Sequence, residues 1–216
     1  MPNILLQAVI FNTLRILKRE NPGDCYYENY WGHLQRNGEN FYDQYMLAWE
    51  IGSTKHPARI LEIGTRTGIS LCQLLSSFVD QLKIQKVVCI DPFNDPYTSA
   101  ELVKKNLRCL NLPVEKVEFL VGLSKDFLPK MIYLEKDLFD YILVDGDHSK
   151  AAAREDLESV HSLVATGGVI VFDDISDAPG ECGLIDVWQQ FKEEHESEYE
   201  WHQNMAGKGV AWAFRK

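Results

Sequence analysis

From residue 58 onward, short apolar runs alternate with longer stretches in which apolar positions recur every three or four residues. The runs at 59–63, Lys86–Asp91, Val117–Gly122, Asp140–Asp145 and Gly168–Asp173 are largely apolar, the pattern of strands buried on both faces of a parallel sheet. Between them, 69–82, 98–109, 124–135 and 149–164 carry helical periodicity. In the last of these, Ala153, Leu157, Val160 and Val164 line one face and Ser149 is placed to cap the start. A further helix fits 183–195, and Tyr199–Gln203 and Val210–Arg215 read as two strands joined by a turn containing Gly207 and Gly209. The alternation predicts an α/β fold: a doubly wound, mostly parallel seven-stranded sheet into which the closing hairpin puts one antiparallel strand.

The chain before residue 58 has a different texture. Leu6, Ile10, Leu14 and Leu17 recur at helical spacing, with Arg15, Lys18 and Arg19 near the end, where a helix dipole favours basic residues. Asn21-Pro22-Gly23 stops that helix. Residues 24–52 are rich in aromatics (Tyr26, Tyr27, Tyr30, Trp31, Phe41, Tyr42, Tyr45, Trp49), of which only Phe41, Tyr45 and Trp49 keep helical spacing. Such a segment suits either the mouth of a small-molecule pocket or a packed helical cap. With 53–57 read as a linker, the expected organisation is an N-terminal helical cap or lid over 1–57 and a ligand-binding domain over 58–216. The first amphipathic helix is the surface where a homo-oligomer is expected.

Charge narrows the partners. A net charge of −10 argues against a nucleic-acid backbone, which is bound through Lys and Arg, but accommodates cationic ligands and divalent metals. Cys25, Cys72, Cys89, Cys109 and Cys182 are scattered, with no Cys-x-x-Cys pair, so free thiols in a reducing compartment are expected. No apolar run is long enough to span a membrane, and no basic leader with a cleavage site precedes the first helix. The expectation is a cytoplasmic protein without a membrane partner.

Candidate chemistry gathers at the ends of the strands, where doubly wound sheets bind ligands. The first strand runs Arg59-Ile60-Leu61-Glu62-Ile63 into Gly64-Thr65-Arg66-Thr67-Gly68. Gly64 can take a positive φ there, and Gly68 permits close approach at the helix start. The spacing, Glu-x-Gly-x-x-x-Gly, is looser than the Gly-x-Gly-x-x-Gly that wraps a pyrophosphate. It suits a ligand with an amine, a carboxylate and a ribose. The next tips give Asp91, then Gly122 with Ser124, then Asp145, then Asp173 with Asp174. Neighbouring tips of a parallel sheet would bring Asp145, Asp173 and Asp174 into one acidic cluster, for which a hard divalent cation is the natural counterion. His148, three residues beyond Asp145, reads as a structural histidine or a base facing the site. Asp147 reads as a turn or cap residue.

The order Glu-x-Gly-x-x-x-Gly, acid, Gly-x-Ser, Asp-x-x-His, Asp-Asp resembles class I S-adenosylmethionine-dependent methyltransferases, and among them the metal-dependent small-molecule O-methyltransferases. Val144-Asp-Gly-Asp-His-Ser149 and Gly167-Gly-Val-Ile-Val-Phe-Asp-Asp174 are most like the macrocin branch. The resemblance covers about residues 58–195. It implies S-adenosylmethionine as cofactor, held by Glu62, Gly64, Thr65, Gly68, Ser70, Asp91 and Ser124. It also implies a divalent cation such as Mg²⁺ on Asp145, Asp173 and Asp174, catalytic roles for His148 and Asp145, and a small-molecule hydroxyl as methyl acceptor. Two departures stand out: Lys150 follows Ser149 where related chains often have Tyr, and Asp173-Asp174 replaces the Asp-Asn of the catechol and caffeoyl branches. Two other functions share this framework, a non-catalytic binding or scaffold protein and a nicotinamide-dependent oxidoreductase. The glycine spacing speaks against the second.

Overall fold

The computed structural model describes residues 12–13, 15–19, 44–78, 80–134 and 138–216. Along the chain the regular elements are α1 (Gln44–Lys55), β1 (Arg59–Ile63), α2 (Ile69–Ser76), β2 (Lys86–Asp91), α3 (Ala100–Cys109), β3 (Val117–Val121), α4 (Ser124–Leu134), β4 (Phe139–Val144), α5 (Lys150–His161), β5 (Val164–Asp173), α6 (Ile185–Glu194), β6 (Tyr199–Asn204) and β7 (Val210–Arg215). The strands form one seven-stranded sheet in the order β3-β2-β1-β4-β5-β7-β6. β1 to β5 are mutually parallel, and β7 runs antiparallel between β5 and β6. The doubly wound sheet with one antiparallel strand is the architecture the sequence pattern predicts.

Alternate residues of each strand serve opposite faces. Ile60, Val87, Cys89, Tyr141, Leu143, Val169 and Val171 pack with Leu47, Ala48 and Ile51 of α1, with α2, and with Val103 and Leu107 of α3. Leu61, Ile63, Val88, Ile90, Ile142, Val144, Ile170 and Phe172 pack with Leu157 and Val160 of α5 and Trp188 and Phe191 of α6. Near-continuous apolar strands are thus required, because both faces are covered. α1 and the buried Leu17 join the first of these cores.

Several boundaries differ from the sequence expectation, each for a local reason. Residues 53–55, expected in a linker, are the last turn of α1; Ser53 and Thr54 donate their hydroxyls back to the Glu50 carbonyl at 3.0 and 2.7 Å. The chain leaves the helix at His56, in the left-handed region at φ 51. α2 stops at Ser76 rather than 82, where Ser77 turns its hydroxyl onto the Leu74 carbonyl at 2.5 Å, and a 3₁₀ turn over Gln81–Lys83 follows. Val164, expected on the helix before it, instead starts β5 opposite Phe139; a register shift follows before the ladder resumes at Tyr141 and Val169. Gly167, at φ 77, lies in that irregular stretch and disguises the strand's start in the sequence. Tyr45 and Trp49 fall within α1, whereas Phe41, Tyr42 and the aromatics before them lie outside the described residues. So do Leu6, Ile10, Leu14, Asn21-Pro22-Gly23 and Cys25. Among the described residues, no helix is long and apolar enough to cross a membrane.

Candidate active site

Because β1 to β5 point the same way, Glu62, Asp91, Ser124, Asp145 and Asp173 all come to one rim of the sheet. The β1–α2 loop forms the first half of the site. Gly64 donates its N–H to the Ile90 carbonyl at 2.9 Å, and Asp145 donates its own to Ile63 at 2.9 Å, so the loop and the β4 tip lie against each other. A Cβ on Gly64 would lie 1.7 Å from the Asp145 carbonyl oxygen, and the residue has φ +86. Gly68 caps α2 at φ +73, and a Cβ there would meet Val103 at 2.5 Å. These are the two places where the loop needs glycine.

Glu62 is buried behind this loop. Burial pushes its carboxyl up from the usual range to about 7, against the opposing pull of the Ser70 and Thr65 hydroxyls. Ser70 donates its hydroxyl to Glu62 Oε1, and the Cys89 thiol is 3.9 Å from Oε2. Of the expected cofactor residues, Glu62 and Ser70 are therefore joined directly, with buried Thr65 beside them and its own hydroxyl unbonded. Asp91 joins two loops by accepting the backbone N–H of Arg66 at 2.8 Å and of Phe93 at 2.6 Å. Both donors are left-handed non-glycine residues, at φ 47 and 46, so Asp91 holds the backbone in a costly conformation around the rim. Ser124, at the start of α4, lies near Asp156, a buried acid that desolvation pushes up to about 6 against the opposing pull of the Ser124 hydroxyl.

The second half gathers the late motifs. Asp145, Asp173 and Asp174 each offer an oxygen within 4.8 Å of the other two. Asp174 is 1% exposed and left-handed at φ 59, a conformation that turns its carboxylate into the cluster. His148 joins them: Nε2 lies 3.1 Å from Asp174 Oδ2 and 3.4 Å from Asp145 Oδ1, and Nδ1 lies 3.2 Å from the Cys182 sulfur. The hydrogen bond with Asp145 raises its ring pKa against the effect of burial, and the charge of Asp174 adds to the rise. Asp147 stays outside the cluster, accepting the Ser149 N–H at 2.7 Å in the turn that leads into α5. Ser149 caps that helix through the Ala152 N–H, as its position predicts. Lys150 turns away to Asp186 of α6 at 2.7 Å.

This fold has known counterparts. A model of the methyltransferase domain matches residues 61–175, more than half the chain. The chain belongs to the methyltransferase-domain family. Its fold is that of an O-methyltransferase from Bacillus cereus solved with S-adenosylhomocysteine, with a TM-score of 0.65 and 20% identity over 95% of this chain and 91% of that one. It is equally that of TomG, an O-methyltransferase of tomaymycin synthesis from Streptomyces achromogenes solved with S-adenosylmethionine (TM-score 0.62, 23% identity, 80% of this chain and 79% of that one). No curated protein sequence matches the chain.

Three residues at this methyltransferase rim escape a motif reading. Gln44, the first residue of α1 and 4% exposed, donates Nε2 to Asp145 Oδ2 at 2.8 Å. Lys208, between β6 and β7, sets Nζ 2.7 Å from Asp174 Oδ1. Cys182 meets His148 from the loop before α6. All three lie outside the matched segment. For Lys208 the available signal was the turn itself, since antiparallel β7 beside β5 returns that turn to the β5 tip.

Proposed function

We propose that the protein transfers a methyl group from S-adenosylmethionine to a hydroxyl of a small molecule, a sugar or a phenolic or related natural product, with a divalent cation at the acceptor side. One observation carries this reading. The buried acid and glycine loop (Glu62, Gly64–Gly68, Asp91) and the polar cluster (Asp145, His148, Asp173, Asp174) converge on one rim, joined where Gly64 presses on Asp145.

S-adenosylmethionine supplies a sulfonium-bound methyl group for in-line transfer to oxygen. Toward it, Glu62, Thr65 and Ser70 would face the methionyl end, with the start of α2 beside the carboxylate. Asp91 retains lone pairs beyond its two backbone bonds for ribose hydroxyls. Ser124 would serve the adenine. Holding both reactants near attack distance is the largest contribution such a rim can make, about 7–11 kcal/mol over free encounter.

The acceptor side fits a hard cation. Three carboxylates converge there, and neither oxygen of buried Asp174 has an aligned hydrogen bond, although Lys208 and His148 lie at ion-pair distance. Asp145, Asp173 and Asp174 would hold Mg²⁺ or a similar ion, which supplies Lewis acidity to the acceptor hydroxyl. His148 is oriented by the two carboxylates at Nε2, which leaves Nδ1 as the nitrogen that takes the hydroxyl proton. The Cys182 sulfur lies 3.2 Å from that nitrogen.

The test is calorimetric and thermal. S-adenosylmethionine or S-adenosylhomocysteine should bind at sub-millimolar levels, and ligand at about 100 times its dissociation constant should stabilise the fold by about 2.7 kcal/mol. Absence of binding overturns the reading. Turnover that survives EDTA unchanged removes the cation and leaves His148, Lys208 and Asp174 as a metal-free site.

A further inference from the structure

The rim holds a second set of donors that shares only Asp174 with the carboxylate cluster. Cys182 places its sulfur 3.2 Å from His148 Nδ1, and the opposite nitrogen of that ring lies 3.1 Å from Asp174 Oδ2. One donor atom from each of His148, Asp174 and Cys182 lies within 4.8 Å of the other two. We propose that these three side chains form a binding site for a borderline divalent cation of the zinc class, and that an ion bound there silences His148.

The donor chemistry separates this site from the carboxylate cluster. Thiolate and imidazole ligands select zinc-class ions, whereas three carboxylates select magnesium or calcium. Tetrahedral bonds of about 2.0–2.3 Å place neighbouring donors roughly 3.5 Å apart. The sulfur faces Nδ1 and the carboxylate faces Nε2, so an ion that takes one ring nitrogen draws the three donors, now within 4.8 Å of one another, together by a turn of the imidazole. Three protein ligands with a fourth position open to water is a common zinc arrangement. Asp174 is prepared for a shared role: Lys208 engages Oδ1, Oδ2 faces His148, and neither oxygen has an aligned hydrogen bond. Cys182 and His148 are exposed, so an ion can reach them without the fold opening. On binding, the Cys182 S–H bond breaks, its electron pair goes to the cation and its proton to solvent. With Nδ1, the nitrogen beside Cys182, committed to the ion, the imidazole has no lone pair there to take the proton of a substrate hydroxyl. The binding itself is independent of the methyl-transfer reading; only the inhibition rests on it.

Cobalt(II) titration of the full chain tests the site, because a thiolate ligand gives a charge-transfer band in the near ultraviolet that oxygen ligands do not. The band should appear, be removed by added Zn²⁺, vanish in Cys182→Ser, and persist in Cys109→Ser and in Asp173→Asn. His148→Ala should weaken Co²⁺ binding about tenfold or more. A band of full strength in Cys182→Ser, or Co²⁺ bound with no thiolate band, overturns the proposal. Circular dichroism checks that each variant is folded. Calorimetry with S-adenosylhomocysteine separates the two claims: a thiolate band without cofactor binding refutes methyl transfer and keeps the ion site, and cofactor binding without the band does the reverse.

Discussion

Glu62 and Asp174 are carboxylates on the same rim, 2% and 1% exposed, and their surroundings differ in kind. Glu62 lies among neutral hydroxyls and a thiol, and burial drives it toward the protonated form, to about 7. Asp174 has the Lys208 ammonium on one oxygen and the His148 ring on the other. A buried acid can give up its charge or be given a partner, and this rim does one at each end. The neutral end suits a cationic ligand that takes the place of a proton. The partnered end suits chemistry in which positive charge must be present beforehand.

The sharpest way to break the contrast is at His148. His148→Ala should lower kcat by about 10²–10⁴-fold, the usual contribution of a positioned base, while the affinity for S-adenosylhomocysteine stays within error. An unchanged rate would make His148 a structural partner of Asp174. Next is Glu62. Its folded pKa lies above its value of 4.5 in the unfolded chain, so the folded state holds the proton more tightly. The resulting stability is fully present below 4.5 and lost as pH rises through 7, about 3 kcal/mol in all. Denaturant unfolding from pH 4.5 to 8.5 should show wild type losing that much relative to Glu62→Gln, whose amide does not titrate. Parallel pH profiles for the two proteins would mean that Glu62 is not held protonated.

Lys208→Met should cost about 2 kcal/mol at neutral pH. Stranding a buried charge costs more, but Lys208 is half-exposed and its contribution is screened. Saturating Mg²⁺ should recover part of the loss, and stability identical to wild type with and without Mg²⁺ would remove Lys208 from the cluster. The smallest effect is expected at Gln44→Ala, roughly 1 kcal/mol for one lost hydrogen bond to a carboxylate, read by thermal unfolding.

The neutral end was largely legible in the sequence because its parts are contiguous. Glu62 to Ser70 is one strand, one turn and the start of one helix, and local periodicity finds all three. The same holds for Asp145 and His148, three residues apart at a strand tip. The partnered end was only half legible. Gln44, Cys182 and Lys208 reach it across 101, 34 and 34 residues, from α1, a loop and a turn, and no local pattern encodes such meetings. Val164 shows the same limit for the fold: its spacing fits the α5 face, but pairing with Phe139 across the sheet decides its place. Ser124 shows it for the site, since the acid whose charge it favours lies on a helix far along the chain.

The insertion of β7 between β5 and β6 also sets the order in which the molecule can be finished. β5 is buried from Gly168 to Asp173, yet its second edge is closed by β7, which is synthesised after every other strand of the described sheet. Until then a growing chain carries an open, apolar edge, the kind that pairs with other chains. The same strand brings Lys208 to Asp174. A chain without the β6–β7 hairpin would therefore lack the cover of its open sheet edge and the counter-charge of its site together.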